Sequence, residues 1–325
     1  MNDLKSIQGE KGEFLKGTCL LAVGNPCFGQ YAYNLAASIK YKDPDASICV
    51  FTEGNTLHAL GDNKNAIFDY ILPAPLEALY MKNHRRYPNR FKLSLHRYSP
   101  YDYTIYLDAD SIWISSHRIT ELFDRFIGAD VDFAGQCEDM IDLRTDYFIH
   151  KRALNGIGAN VVEGFTPKLS YKSHRMYQLH GQFLLFKKTA RVRGYFNEAL
   201  CLYDRMESGV LTQEANWKWY GEAVEELALS VATATIGFDL APESSGFAPV
   251  TTQGDRLLTL DPDSPRILVL SIVGQEKYSD CADGGYCVGE NDTSLYIRHY
   301  NNCIDKINAN SQHGCFHYPK KVTVL

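Results

Sequence analysis

Short apolar runs alternate with stretches of helical spacing over the first 135 residues, and that alternation narrows the possible folds more than anything else in this chain. Residues 17–23 (GTCLLAV) form an apolar run that empties into Gly24-Asn25-Pro26, a turn signal, so they read as a buried strand followed by a loop. Residues 31–42 carry Leu35, Ala36 and Ile39 on one side of a helix, and Asp43-Pro44-Asp45 breaks it. Residues 47–52 (SICVFT) and 66–72 (AIFDYIL) read as the next two strands. Residues 90–98 have helical spacing up to Ser99-Pro100, and residues 103–107 (YTIYL) form a fourth strand. A helix over 119–126 and a strand over 131–135 follow. Strands that alternate with helices predict an α/β fold with a parallel, doubly wound sheet.

The second half has a weaker pattern. Residues 138–178 lack a clean period, and so long a loop-rich insertion in a compact domain is usually a lid or binding element. Beyond it lie a strand candidate at 181–186, a helix at 190–203, a helix at 221–234 with Val224, Leu227, Ala228 and Val231 facing inward, and a strand at 267–273. The chain has no internal repeat, low-complexity segment or Ser/Pro-rich linker. The expectation is one domain over residues 1–325, with a ligand-binding half at about 17–137 and an acceptor or lid half at about 138–325.

Charge is distributed unevenly. The net charge of −6 conceals six Lys or Arg and no acid within 82–97, and nine basic residues against Glu163 alone within 147–197. A central basic zone suits a phosphate-bearing ligand, and a solvated basic face is the plainer alternative. No apolar run reaches the roughly 18 residues that span a bilayer, and residues 1–17 have no apolar core of the secretory kind, so the expectation is cytoplasmic. Nine cysteines are scattered without a CxxC, and Cys19, Cys27 and Cys49 fall in or beside strand-like stretches where a thiol acts as a small hydrophobe. Cys281, Cys287, Cys303 and Cys315, with His313, have spacings too wide for a zinc knuckle.

The chemistry concentrates in residues 101–113 (YDYTIYLDADSIW). There an apolar strand ends in Asp108 and Asp110, separated only by the small Ala109. At the carboxyl edge of a parallel sheet this pair falls in the crevice where such folds bind ligands. Carboxylate oxygens are hard donors suited to Mg²⁺ or Mn²⁺, and such an ion can bridge two phosphates and offset charge on a departing diphosphate. Two aspartates one residue apart are a weak motif in isolation, since Asp also begins turns. The buried strand before them, Tyr106 beside them and Ile112-Trp113 after them strengthen the reading.

The pattern of strand, Gly-Asn loop, helix ending in Ser38-Ile39-Lys40, then Lys92 before Ser99-Pro100-Tyr101-Asp102, then Leu107-Asp108-Ala109-Asp110, resembles the GT-A nucleotide-diphosphosugar transferases. Among these it is most similar to the glycogenin-like and bacterial galactosyltransferase group, family eight. The likeness spans residues 17–135 and returns in fragments at 180–188, 222–229 and 313–320. It implies a GT-A fold with a mostly parallel central sheet, a metal-dependent glycosyltransferase activity and a nucleotide-sugar donor, UDP-linked in the first instance. By the same resemblance Ala22, Val23 and Asn25 sit where the nucleobase and ribose are held, and Tyr31 where an aromatic stacks on uracil, a core-facing helix residue being the alternative. Lys92 matches a basic residue that approaches the donor phosphates or sugar; otherwise it is an exposed helix lysine. His317 resembles the late His that completes a metal site with Asp108 and Asp110, with His313 as a competitor, and Lys320 would reach the diphosphate. Gln182, in His180-Gly181-Gln182-Phe183, lies on the strand that lines the sugar pocket. Glu222, Glu225 and Glu226 fall near the family's catalytic or sugar-binding acid. Three Glu on a helix usually make a solvated face, but Glu225 precedes an inward-facing stripe and is the chosen residue.

Two other classes compete. A nucleotidyltransferase acting on sugar phosphates usually carries a glycine-rich basic loop after its first strand, and residues 24–29 (GNPCFG) hold no basic residue. A catalytically silent nucleotide-sugar-binding protein would not need the intact Asp108-Ala109-Asp110. The acceptor stays open: a glycan, a protein, or a polyanion such as DNA carrying hydroxymethylated bases, with Tyr87, Phe91, Tyr98, Tyr147 and Phe148 interleaved in the basic zone. Stereochemistry and oligomeric state do not follow from the sequence.

Overall fold

The computed structural model describes residues 15–24, 27–53, 56, 66–79, 88–113, 117–142, 171–207, 225–238 and 240, together with the backbone of four short strand segments between 250 and 324. Its frame is a six-stranded sheet in the order β3-β2-β1-β4-β7-β6. These strands are β1 (Lys16–Ala22), β2 (Ile48–Thr52), β3 (Tyr70–Pro73), β4 (Tyr103–Leu107), β6 (Phe133–Asp142) and β7 (Arg175–Lys187). The four strands β3, β2, β1 and β4 pair in parallel, as the alternation predicts. Antiparallel β7 lies between β4 and β6. The α/β class, with a mostly parallel sheet flanked by helices, is the architecture expected.

Helices cover both faces, each with its own core. On one face α1 (Cys27–Lys42) buries Ala32, Leu35, Ala36 and Ile39, and α5 (Ile119–Gly128) buries Ile119, Leu122, Phe123 and Phe126. On the other, α6 (Ala190–Glu207) and α7 (Glu225–Ile236) pack Val192, Tyr195, Phe196, Leu227, Ala228 and Val231. Full burial of one such Leu or Val contributes roughly 1.5–3 kcal/mol. Between β3 and β4 run α2 (Leu76–Leu79), α3 (Pro88–Lys92) and α4 (Leu95–Tyr98). A second sheet joins β5 (Ser111–Trp113), β9 (Leu268–Ser271) and β8 (Val250–Gln253), and β10 (Cys287–Val288) pairs with β11 (Thr323–Val324).

Several boundaries differ from the sequence reading for identifiable reasons. The single helix expected over 90–98 is two, because the chain turns at Leu93-Ser94 between α3 and α4. That break points Lys92 inward: it is 6% exposed, not a surface lysine. Strands β6 and β7 extend well past 131–135 and 181–186 because they form a long antiparallel pair of their own, from Phe133↔Phe186 to Asp142↔Arg175. The centre of the aperiodic 138–178 stretch and the start of the 221–234 helix lie outside the described residues. No helix among the described residues is long and apolar enough to cross a membrane.

Candidate active site at the carboxyl edge of β4

Strand β4 is buried at all five positions and stops at Leu107, opposite Phe183 of β7. The next amide, Asp108 N, donates to the Gln182 carbonyl (3.1 Å), and Ser111 N donates back to the Asp108 carbonyl (3.1 Å). The chain therefore turns at Asp108-Ala109-Asp110 before β5, setting both aspartates at the carboxyl end of the parallel strands. Ala109 is buried between them.

Lys92 is the hub of this edge. Its ammonium lies 2.9 Å from Asp108 Oδ1 and 2.8 Å from Glu225 Oε1. Asp108 Oδ1 also accepts the Tyr106 hydroxyl at 2.6 Å. Burial alone would lower the Lys92 pKa, but Asp108 and Glu225 outweigh it and raise it well above the ordinary value, so the lysine is a cation here. Burial pushes the Glu225 carboxyl up; Lys92 opposes that, and Glu226 and Asp108 reinforce it. The Tyr106 phenol is raised by burial and by Asp108.

Glu225 reaches Lys92 because α7 is sewn along the edge of β7 that extends beyond the end of β4. Glu226 Oε1 accepts Gly181 N (3.1 Å), Ser230 Oγ accepts Leu179 N (3.0 Å) and Thr233 Oγ1 accepts Tyr177 N (3.0 Å). Positions 226, 230 and 233 share one helix face, and alternate strand amides point to one edge, so three amides that β4 cannot reach are all satisfied. Gly181 is where α7 packs tightly on β7: a Cβ there would stand 3.0 Å from Glu225 Oε1.

The remaining expected site residues are distributed as follows. Ala22 and Val23 are buried at the end of β1, beside Gly24, whose φ of +102° favours glycine. Tyr31 is buried in the α1 core, its ring edge-on to Phe28 at 5.9 Å. Gln182 is buried, and its carbonyl carries the Asp108 turn. Asp110 is half-buried. Asn25, His317, Lys320, Glu222 and His313 lie outside the described residues, as do Cys281, Cys303 and Cys315. The structure thus brings together Lys92, Asp108 and Glu225. It adds two groups that the sequence reading did not select, Tyr106 as a donor to Asp108 and Glu226 with His180. The signal for Tyr106 was its position two residues before Asp108, on the same side of a strand.

A divalent ion is tested here by the donor set. Asp108 and Asp110 supply hard oxygens of the right kind, while no group of three His, Cys, Asp or Glu that could hold an ion occurs among the described residues. The two carboxylates are donors of the right chemistry for such an ion, and His317, the third ligand expected from the sequence, lies outside the described residues. The basic zone is also less open than its composition implied: Arg90 is bound bidentately to Asp204 (2.7 and 2.8 Å) and caps the carbonyls of Glu77 and Ala78.

No family model and no curated protein sequence matches the chain. Solved structures do. A galactosyltransferase, LgtC, in complex with donor and acceptor sugar analogs, is similar over 89% of this chain and 95% of that one, at 11% identity and a TM-score of 0.45. The apo WbbM bifunctional glycosyltransferase matches over 61% of this chain but only 36% of its own length, at 12% identity and a TM-score of 0.42. Mouse xyloside xylosyltransferase 1 matches over 67% of this chain and 81% of its own, at 10% identity and a TM-score of 0.40.

Proposed function

We propose that the chain is a GT-A glycosyltransferase that takes a nucleotide diphosphate sugar, UDP-linked in the first instance, and transfers the sugar to a hydroxyl acceptor. The observation that carries this reading is the Lys92–Asp108–Glu225 cluster at the carboxyl end of the parallel strands, with Lys92 and Glu225 buried and Asp108 partly exposed. Among the described residues it holds more carboxylates than cations, so a bare diphosphate would be repelled unless further positive charge accompanied it. A divalent ion held by Asp108, Asp110 and His317 would supply that charge and offset the negative charge developing on the leaving diphosphate. Lys320 would add to it. Lys92 holds the Asp108 and Glu225 carboxylates apart and faces the donor sugar or its phosphates. Glu225 accepts hydrogen bonds from sugar hydroxyls, Gln182 lines the same pocket, and Ala22, Val23 and Asn25 border the nucleoside.

The test is UDP release from UDP-sugars by the full chain with Mn²⁺, compared with Asp110→Asn. The variant is expected to retain its thermal midpoint and lose Mn²⁺-dependent release. Full activity in the variant would refute the metal assignment. A parent whose midpoint is raised by no nucleotide sugar, with or without Mn²⁺, would refute the donor class.

A further inference from the structure

We propose that the amino edge of the sheet carries a second ligand site, in which Arg97, Lys188 and Arg193 receive a phosphate group that does not belong to the sugar donor. Three segments bring these cations together. His96 and Arg97 sit on α4, and the His96 imidazole stacks on Phe196 of α6 at 5.1 Å with 10° between the rings. Lys188, the residue after β7, donates through Nζ to the Ser99 carbonyl just beyond α4. Arg193 and Phe196 are an i,i+3 pair on α6, so the stack that holds α4 against α6 also brings Arg193 to His96. Arg97 and Arg193 are both exposed.

The charge here is left unmatched. Arg90, in the same basic stretch as Arg97, gives both prongs of its fork to Asp204. Lys92 divides its ammonium between Asp108 and Glu225. Neither Arg97 nor Arg193 forms an ion pair among the described residues. The acids that border the patch are turned to neutral donors: Asp102 accepts Leu15 N (3.1 Å) and Asp132 accepts the Thr189 hydroxyl (3.2 Å). Burial lowers the Lys188 pKa, and Asp102 only partly opposes it. Helix α6 begins here with no acid in its first turn, so the positive end of its dipole adds to the field. His96 feels the sum. Its Nδ1 is buried without a hydrogen-bond partner, so an added proton there would go unsatisfied. Burial first, then Arg97, Lys188 and Arg193, push its pKa down to about 4 against the opposing bond to Asn197. Cations spread over a solvated face would not converge on one buried ring; cations gathered for an anion do.

The two guanidinium groups favour a tetrahedral oxyanion, since each can bind two of its oxygens. Lys188 follows the residue that pairs with Tyr103 at the start of β4, whereas Asp108 follows the end of that strand. The length of β4 therefore separates the two sites by roughly 15 Å. A diphosphate held at the carboxyl edge does not reach across it. The ligand at the amino edge is a phosphomonoester, free in solution or as the headgroup of a lipid.

The probe is sulfate, a dianion of the same shape, added at neutral pH to the full chain with isotope-labelled histidine rings. Chloride at equal ionic strength is the control. The His96 ring signals, identified by their loss in His96→Phe, should shift to saturation with sulfate and stay in place with chloride. Arg97→Gln and Arg193→Gln should each weaken sulfate about tenfold, the worth of one charge-assisted hydrogen bond. Glycerol phosphate should displace sulfate. Co-sedimentation with vesicles of phosphatidylcholine and phosphatidic acid, lost in the Arg97→Gln/Arg193→Gln double variant, assigns the lipid headgroup; displacement without co-sedimentation assigns the free phosphomonoester. An equal response to chloride, or an undiminished affinity for sulfate in the double variant, overturns the site and leaves a solvated basic face. Failure of glycerol phosphate to displace sulfate overturns the phosphate assignment. None of these outcomes bears on the carboxyl edge, which Mn²⁺-dependent UDP release tests separately.

Discussion

Two buried carboxylate clusters, one on each face of the sheet, are built on opposite principles. Asp43, at the end of α1, is fully buried and saturated. Its Oδ2 accepts the Thr120 amide (2.9 Å) and hydroxyl (2.6 Å), and its Oδ1 accepts Arg118 Nη2 (2.9 Å). No side chain at the start of α5 caps that helix from its own N-cap position, so Asp43 does so from a distant segment. Burial would raise the Asp43 pKa, but Thr120 and Arg118 outweigh it and the carboxyl sits below its ordinary value. Across the sheet, Asp108 and Glu225 divide one ammonium between them, and Glu225 is shifted upward. A cluster that only holds a fold saturates its charges. A cluster left short of positive charge is one that a ligand can complete.

The largest expected effect comes from removing the shared cation. Lys92→Met leaves Asp108 and Glu225 facing each other in a buried site, and should destabilise the fold by about 3–5 kcal/mol at neutral pH. Denaturant titrations should show part of that loss regained at acidic pH, where a carboxylate protonates. A loss no larger at pH 7 than at pH 4 would mean that the two acids do not depend on Lys92.

Asp43→Ala should cost less, about 1–2 kcal/mol, the range of a lost helix cap. The two clusters also differ in the sign of their pH dependence. Asp43 has a depressed pKa, so its contribution is full above the ordinary value of 3.8 and is lost as pH falls through its lower folded value. Glu225 has a raised pKa, so its contribution is full below 4.5 and is lost as pH rises through its higher folded value. Stability curves should therefore flatten below pH 3.8 in Asp43→Ala and above pH 4.5 in Glu225→Gln. The same change in both variants would erase the distinction.

What the sequence made legible follows from how local each cause is. The central strands were readable because burial on both faces makes runs such as residues 103–107 apolar but for Thr104. Asp108 stood out because it ends such a run. The contacts that define both clusters are long-range: Lys92 to Glu225 spans 133 positions, Asp43 to Thr120 spans 77, and Glu226 to Gly181 spans 45. No periodicity encodes these. Glu225 and Glu226 look identical in sequence, yet one turns to the ammonium and the other to a strand amide, because α7 must satisfy the edge left bare where β4 stops. The helix break at Leu93-Ser94 was hidden for a similar reason, since Lys92 is drawn inward by partners that its own neighbours do not reveal.

The smallest expected effect is the most discriminating. Gly181→Ala places a methyl 3.0 Å from Glu225 Oε1, 3.3 Å from its Cγ and 3.5 Å from Glu226 Cγ. All three are side-chain atoms, so the neighbours can yield, and the stability loss should be about 1 kcal/mol, the low end for overpacking. The displaced oxygen is the one that binds Lys92 at 2.8 Å. Glu225 should therefore withdraw from the ammonium while the Gly181 amide keeps Glu226, and donor turnover should fall by more than the stability loss implies. If Gly181→Ala instead destabilises the fold more than Asp43→Ala, the edge beside β7 is the more rigid of the two clusters, and its unbalanced charge is not the mark of a site that a ligand completes.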